Sequence, residues 1–128
     1  MLPAVSAAAG LSDRTAATLE RCLNYAANVS TAGQVDCEAA AMKAYDHRMN
    51  AAYATLLHKL PQSVASDLRS AQRVWLAFRD QEDKARSALY ETRQGTMYLP
   101  MQAGAATAVT RDRALQLEAY VAVMAVDP

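Results

Sequence analysis

Two histidines, a cluster of carboxylates and a few serines are the side chains of this 128-residue chain with reactive chemistry to offer. His47 and His58 fall in one predicted helix, eleven residues apart. That spacing puts them on one face to within about 20° but separates them by about 16 Å along the axis. They cannot close on a single metal ion, and both read as surface or groove histidines. The acidic cluster Asp80, Glu82 and Asp83 raises the question of a cation site. On a helix Asp80 and Asp83 share a side while Glu82 points elsewhere, and no loop glycine supplies calcium-type geometry. Glu82 with Arg86 makes a favourable i, i+4 pair instead. No serine stands in a strand-turn-helix nucleophile setting, and neither histidine is spaced to activate one. These residues predict no catalytic group, no metal site and no cofactor, so the chain reads as a non-enzyme.

Cys22 and Cys37 are fifteen residues apart, neither a Cys-x-x-Cys redox motif nor a zinc-ligand spacing. Their even number permits one disulfide and with it an oxidising compartment; two buried free thiols satisfy the composition as well. A bridge would close a short loop worth about 3 kcal/mol. Arg79, Arg86 and Arg93 recur every seven residues behind Gln72, placing four long donors along one stripe. Such a stripe either grips carboxylates on a partner or pairs along a helix flank with Glu82, Asp83 and the neighbouring helix, which is the plainer reading. Thirteen basic residues balance thirteen acidic ones, which excludes a nucleic-acid partner held by excess positive charge. No run of 18 apolar residues exists, so no membrane span is expected.

The elements that must carry these groups are helices. Apolar residues make up 52% of the chain, with alanine dominant, no isoleucine, and a single phenylalanine beside six tyrosines. That balance favours helix over strand, and four glycines and four prolines leave few tight turns. The expectation is an all-α fold, a small bundle of about four helices with a long antiparallel helical hairpin at its centre. Residues 1–11 lack the basic region and long apolar core of a secretory signal, although Val5-Ser6-Ala7 and Ala8 resemble the tail of one. They read as a flexible leader, followed by a single helical domain over 12–125.

Ser12 is the predicted cap of a first helix over 13–28, with Leu19, Cys22, Leu23 and Ala26 at helical spacing. Residues 29–34 read as a connection. A second helix is expected from an Asp36 cap to Leu60, stopped by Pro61, with its apolar stripe at Met42, Tyr45, Met49, Ala52, Tyr53, Leu56 and Leu60. The third follows at once, its seam being Val64, Leu68, Ala71, Trp75, Phe78, Glu82, Ala85 and Leu89. The short break makes the two an antiparallel hairpin. Gly95 marks a stop, residues 95–104 form the longest predicted non-helical stretch, and a last helix covers about 105–125. Its inward set is Val109, Leu117, Tyr120, Val121 and Met124.

At Gln72-x-x-Trp75-x-x-x-Arg79-Asp80, with Asp46-x-x-Met49-Asn50-x-x-Tyr53 upstream and Thr110-x-x-Arg113 downstream, the chain resembles the LprI-like family of lysozyme inhibitors. Those are small, secreted, cysteine-bearing helical domains of the bacterial cell envelope, and the resemblance runs from about Cys22 to Tyr120. It implies that Cys22 and Cys37 match the family's first two cysteines, a disulfide pair. It also makes Asn50, Gln72, Trp75, Arg79, Asp80 and Arg113 the signature positions. One departure stands out: the family's second cysteine pair is missing, since Gln81-Glu82-Asp83 and residues 103–108 contain no cysteine. The signature reads as structural, one hydrogen-bonded network around a tryptophan that locks the hairpin to the last helix.

The resemblance implies a periplasmic or secreted protein whose partner is another protein, a lysozyme-like hydrolase. An immunity protein against a secreted toxin, or a structural envelope component without inhibitory role, would look the same in composition. A lysozyme cleft works with two carboxylates, so a plug needs donors and a protruding apolar element. Met97, Tyr98, Leu99 and Met101 in the expected loop, with Arg86 and Arg93, are the predicted partner contacts. Zero net charge cuts mildly against a strongly basic lysozyme as the target, because acidity would speed that encounter.

Overall fold

Few helix breakers and abundant alanine give long helices, and the computed structural model describes residues 13–128 as four of them. They are α1 (Arg14–Asn24), α2 (Thr31–Lys59), α3 (Gln62–Glu91) and α4 (Tyr98–Met124), with a single 3-10 turn at Ala26–Asn28 between the first two. The leader at 1–11 and the predicted cap Ser12 lie outside the described residues.

Local side-chain chemistry sets the boundaries, and it shifts several of them. Asp13 caps α1 by accepting from the Ala16 N–H at 3.0 Å. The helix then ends at Asn24 instead of running to 28, because the Asn28 amide donates back to the Cys22 carbonyl at 3.0 Å. Such side-chain to backbone bonds compete directly with helix continuation. Ser30 caps α2 through the Gly33 N–H at 3.0 Å, so α2 starts at Thr31, ahead of the expected Asp36. Gly33, which marked a loop in the sequence, is helical. A Cβ there would stand 2.7 Å from the Asn28 Cα, so the close approach of the 3-10 turn demands glycine. Leu60 is extended, as the residue before a proline tends to be, and α3 begins directly after Pro61.

The largest correction concerns 95–104. Only 92–97 is non-helical, with Gly95 at φ 118° making the turn that other residues resist. α4 absorbs the remainder. Pro100 sits in its first turn, where a missing N–H leaves no hydrogen bond unmade. Gly104 is also helical, and the Glu38 carboxylate of α2 lies against it.

Cross-links between side chains give the topology. Asp46 pairs with Arg79 and Gln72 with Arg113, each pair straddling its connection almost symmetrically, so α2 with α3, and α3 with α4, run antiparallel. Thr107 with Glu38, Thr110 with Met42, and Arg48 with Glu118 are separated by 69, 68 and 70 residues. That near-constant offset makes α2 and α4 parallel, and these two helices share the most extensive packing in the bundle. Tyr45, Met49, Ala52 and Leu56 of α2 meet Ala114 and Leu117 of α4 in the core, with Leu19, Leu68 and Trp75 packed at its margin. The expected stripe of α2 is therefore the buried one.

The seam expected on α3 is only in part its inner face: Leu68, Trp75 and Glu82 turn inward, the rest do not. Phe78 is 51% and Leu89 59% exposed, Val64 is 44% exposed, and Ala71 and Ala85 are also on the surface. Ala65 and Gln72 are the buried residues, flanked by half-buried Leu68, Trp75, Arg79, Glu82 and Arg86. The helix is rotated because its polar members find partners on α2 and α4, which an apolar period cannot register. Of the inward set expected on α4, Leu117 is fully buried and Val109 and Val121 half-buried, while Tyr120 and Met124 are exposed near its end.

Candidate functional site

Three arrangements built on this frame bear on function, and two of them are polar clusters tying helices together. The first surrounds Trp75. Asp46 accepts from the Asn50 amide at 3.3 Å, one turn along α2, and from Arg79 of α3 at 3.2 Å. The Arg79 guanidinium lies 5.0 Å from the Trp75 ring centre, and that of Arg113 from α4 lies 5.9 Å from the same ring. Arg113 donates through Nε to the Gln72 side-chain oxygen at 2.9 Å and through another nitrogen to Gln116. Burial depresses the Arg113 pKa, since a guanidinium here has amide oxygens and a ring face around it in place of water. Asn50, Gln72, Trp75, Arg79 and Arg113 thus come together from three helices. Asp80 is exposed and stands outside the cluster.

The second cluster was not singled out from the sequence. Arg48 of α2 reaches Asp13 at the head of α1, 2.9 Å away, and forks onto Glu118 of α4, where Nε donates at 2.9 Å. Tyr45 donates its hydroxyl to the same Asp13 carboxylate at 2.9 Å. Burial works to raise the Asp13 pKa, but the Ala16 N–H, Arg48 and Tyr45 together outweigh it and hold the carboxyl below its ordinary value. Burial and the Asp13 carboxylate push the Tyr45 phenol up to about 12. In the sequence this cluster shows only as a cap predicted one residue early, at Ser12, and as Tyr45 in the apolar stripe of α2. Nothing local marks Arg48 and Glu118 as partners across 70 residues. At the other end of α1 the Cys22–Cys37 disulfide is formed, with Cα atoms 5.7 Å apart.

The third arrangement is the end of the bundle where the α1–α2 and α3–α4 connections meet. Met97, Leu99 and Met101 are 63%, 53% and 49% exposed; Met97 is the N-cap of α4, and Leu99 and Met101 stand in its first turn, where a loop was expected. Tyr98 is half-buried, its ring edge-on to Tyr90 with centroids 6.4 Å apart. Arg93 is exposed in the connection. Arg86 is withdrawn from the surface: its side chain is 10% exposed, one terminal nitrogen pairs with Asp83 at 2.7 Å, not with Glu82 as the spacing suggested, and the other is buried without a hydrogen-bond partner among the described residues. A groove of about 470 Å³ runs beside the patch, between Leu23, Thr31 and Gln34 on one wall and Thr96, Met97 and Met101 on the other.

His47 and His58 are both exposed. Among the described residues no group of three histidine, cysteine or acidic side chains could hold a metal ion, and no helix is long and apolar enough to cross a membrane.

These features define a class: a disulfide-stapled, all-helical domain cross-tied by buried arginines and carrying an apolar patch at one end. The sequence profile described as Lysozyme inhibitor LprI matches residues 13–117, and the chain belongs to that family. No curated protein matches it. Among solved structures it is similar to the crystal structure of an uncharacterised protein from Burkholderia thailandensis, with a TM-score of 0.84 and 33% identity over 89% of this chain. The chain spans 56% of that protein's length.

Proposed function

We propose that this chain is a secreted or periplasmic inhibitor of a lysozyme-type peptidoglycan hydrolase, and that it binds through the end of the bundle carrying Met97, Leu99 and Met101. Membership of the lysozyme inhibitor family supports the class of partner. The observation that carries the choice of surface is the exposure of three large apolar side chains at the start of α4, Met97 as its N-cap and Leu99 and Met101 in its first turn. Leu99 and Met101, held on a helix, lose little entropy on docking, as anchors in tight interfaces do. Arg93, exposed in the adjoining connection, supplies a donor for the carboxylates on which a lysozyme cleft depends.

The experiment is calorimetric binding of the purified, oxidised protein to a panel of lysozymes and other peptidoglycan hydrolases, with a muramidase assay alongside. Binding to at least one member with loss of its activity is the expected result. Absence of binding to every member would overturn the reading.

A further inference from the structure

The groove beside the patch does not end there. A second groove of about 270 Å³ separates α1 from α4, lined by Leu19, Leu23, Tyr45, Gly104 and Thr107 among others. Leu23 and Glu38 line both, so the two run together, with Glu38 at the junction. The Glu38 carboxylate lies over the α4 backbone, so close to Gly104 that a Cβ there would stand 3.4 Å from Oε2. The Thr107 hydroxyl, which lines the same groove, is spent on backbone carbonyls, its one proton shared between Glu38 O at 3.1 Å and Ala103 O at 3.0 Å. Among the described residues the Glu38 carboxylate has no hydrogen bond or ion pair. The one basic residue lining either groove, Arg111, is paired with its neighbour Asp112 at 3.1 Å, and Glu20 adds a second carboxylate.

We infer that this continuous groove receives a lysine or arginine side chain projecting from the protein partner, its aliphatic stem against Leu23, Met97 and Met101 and its charged head on Glu38. Long basic side chains suit such a site because stem and head want opposite surroundings. A charge-assisted hydrogen bond to a half-buried carboxylate is stronger than one between neutral groups. Two carboxylates, Glu20 and Glu38, against the single Arg111 line the joined groove, so complementarity to a basic partner resides there and not in the whole surface. The inference rests on the hydrolase reading for the identity of the partner, and on the groove alone for its chemistry.

The test uses the folded protein with two probes, acetyl-Leu-Arg-Leu-amide and the same peptide with norleucine for arginine, followed by amide chemical shifts. Shifts at Leu23, Gly104 and Thr107 are expected to saturate with the arginine peptide and to need about fivefold more of the norleucine peptide, a difference of ~1 kcal/mol. Glu38→Gln should erase that preference while its spectrum stays that of the folded protein. Equal binding of the two peptides, or shifts confined to other surfaces, would overturn the inference. Against any hydrolase the wild type inhibits, Glu38→Gln should weaken inhibition about tenfold. Full inhibition by that variant would sink the groove proposal and leave the inhibitor reading intact. An arginine-selective groove in a protein that binds no hydrolase would do the reverse.

Discussion

Arg113 and Gln72 meet side chain to side chain at 2.9 Å, 41 residues apart, the arginine 8% and the glutamine 5% exposed. No carboxylate shares this contact; the charge is held by two amide oxygens and the face of Trp75. A buried cation satisfied this way is sensitive to every partner it has. Arg113→Met should leave Gln72 without its donor and release α3 from α4, at a cost of about 3 kcal/mol. Arg113→Lys should also destabilise, since a point charge cannot reproduce the planar fork or the stacking on tryptophan. Urea unfolding of both variants checks this. A neutral Arg113→Met would show that the cluster does not fix the position of α3.

The Asp13–Tyr45–Arg48 cluster predicts how stability changes at both ends of the pH scale. Asp13 has its folded pKa held below the ordinary 3.8. Its contribution is therefore complete above that value and lost as pH falls through the folded value. Tyr45 is shifted the other way, from 10.0 to about 12. Its contribution is complete below pH 10 and lost as pH rises towards 12. Asp13→Asn should flatten the acid limb of the stability profile and Tyr45→Phe the alkaline limb, measured as denaturation midpoints from pH 2 to 12. An alkaline limb unchanged in Tyr45→Phe would contradict the assignment.

α1 buries no residue completely and is fastened at its two ends, by Asp13 and by Cys22. Replacing both cysteines by alanine should cost about 3 kcal/mol, the loop-closure value for fifteen residues. Hydrogen exchange should rise in α1 first, with the α2–α4 core protected until global unfolding. Uniform loosening of all four helices would argue that α1 is part of the core and not a strap over it.

Phe78 and Leu117 separate the apparent core of α3 from the real one. Phe78 is 51% exposed and Leu117 fully buried. Phe78→Ser should change stability by no more than about 0.5 kcal/mol, whereas Leu117→Ala should cost about 2–5 kcal/mol through the cavity it leaves. A large loss from Phe78→Ser would mean that the exposed seam of α3 is covered in solution.

Met97, Leu99 and Met101 are each about half exposed or more, so replacing all three by serine should leave the thermal midpoint nearly unchanged. The same variant should weaken hydrolase inhibition at least about tenfold, since truncating central apolar anchors commonly costs 1 kcal/mol or more each. Undiminished inhibition would move the contact surface elsewhere on the bundle.

The sequence by itself determined the helical class, the stripe of α2 and the break at Pro61. Each depends on neighbours within one or two turns: alanine's propensity, the three-and-four spacing from Met42 to Leu60, and proline's lack of an N–H. It also carried the signature residues, of which Asn50, Gln72, Arg79 and Arg113 gather around Trp75. It could not decide the face of α3. The apolar period from Val64 to Leu89 pointed one way, while the partners of Gln72 and Arg79 lie on helices tens of residues distant. Gly33 and Gly104 read locally as breakers, yet both sit inside helices, Gly33 where the Asn28 backbone leaves no room for a Cβ and Gly104 beneath the Glu38 carboxylate. The Arg48 fork and the Glu38 groove exist only once α1 and α4 are both laid against α2. Local spacing encodes elements, but which polar groups meet, and which remain unmet, is settled by packing between residues far apart in the chain.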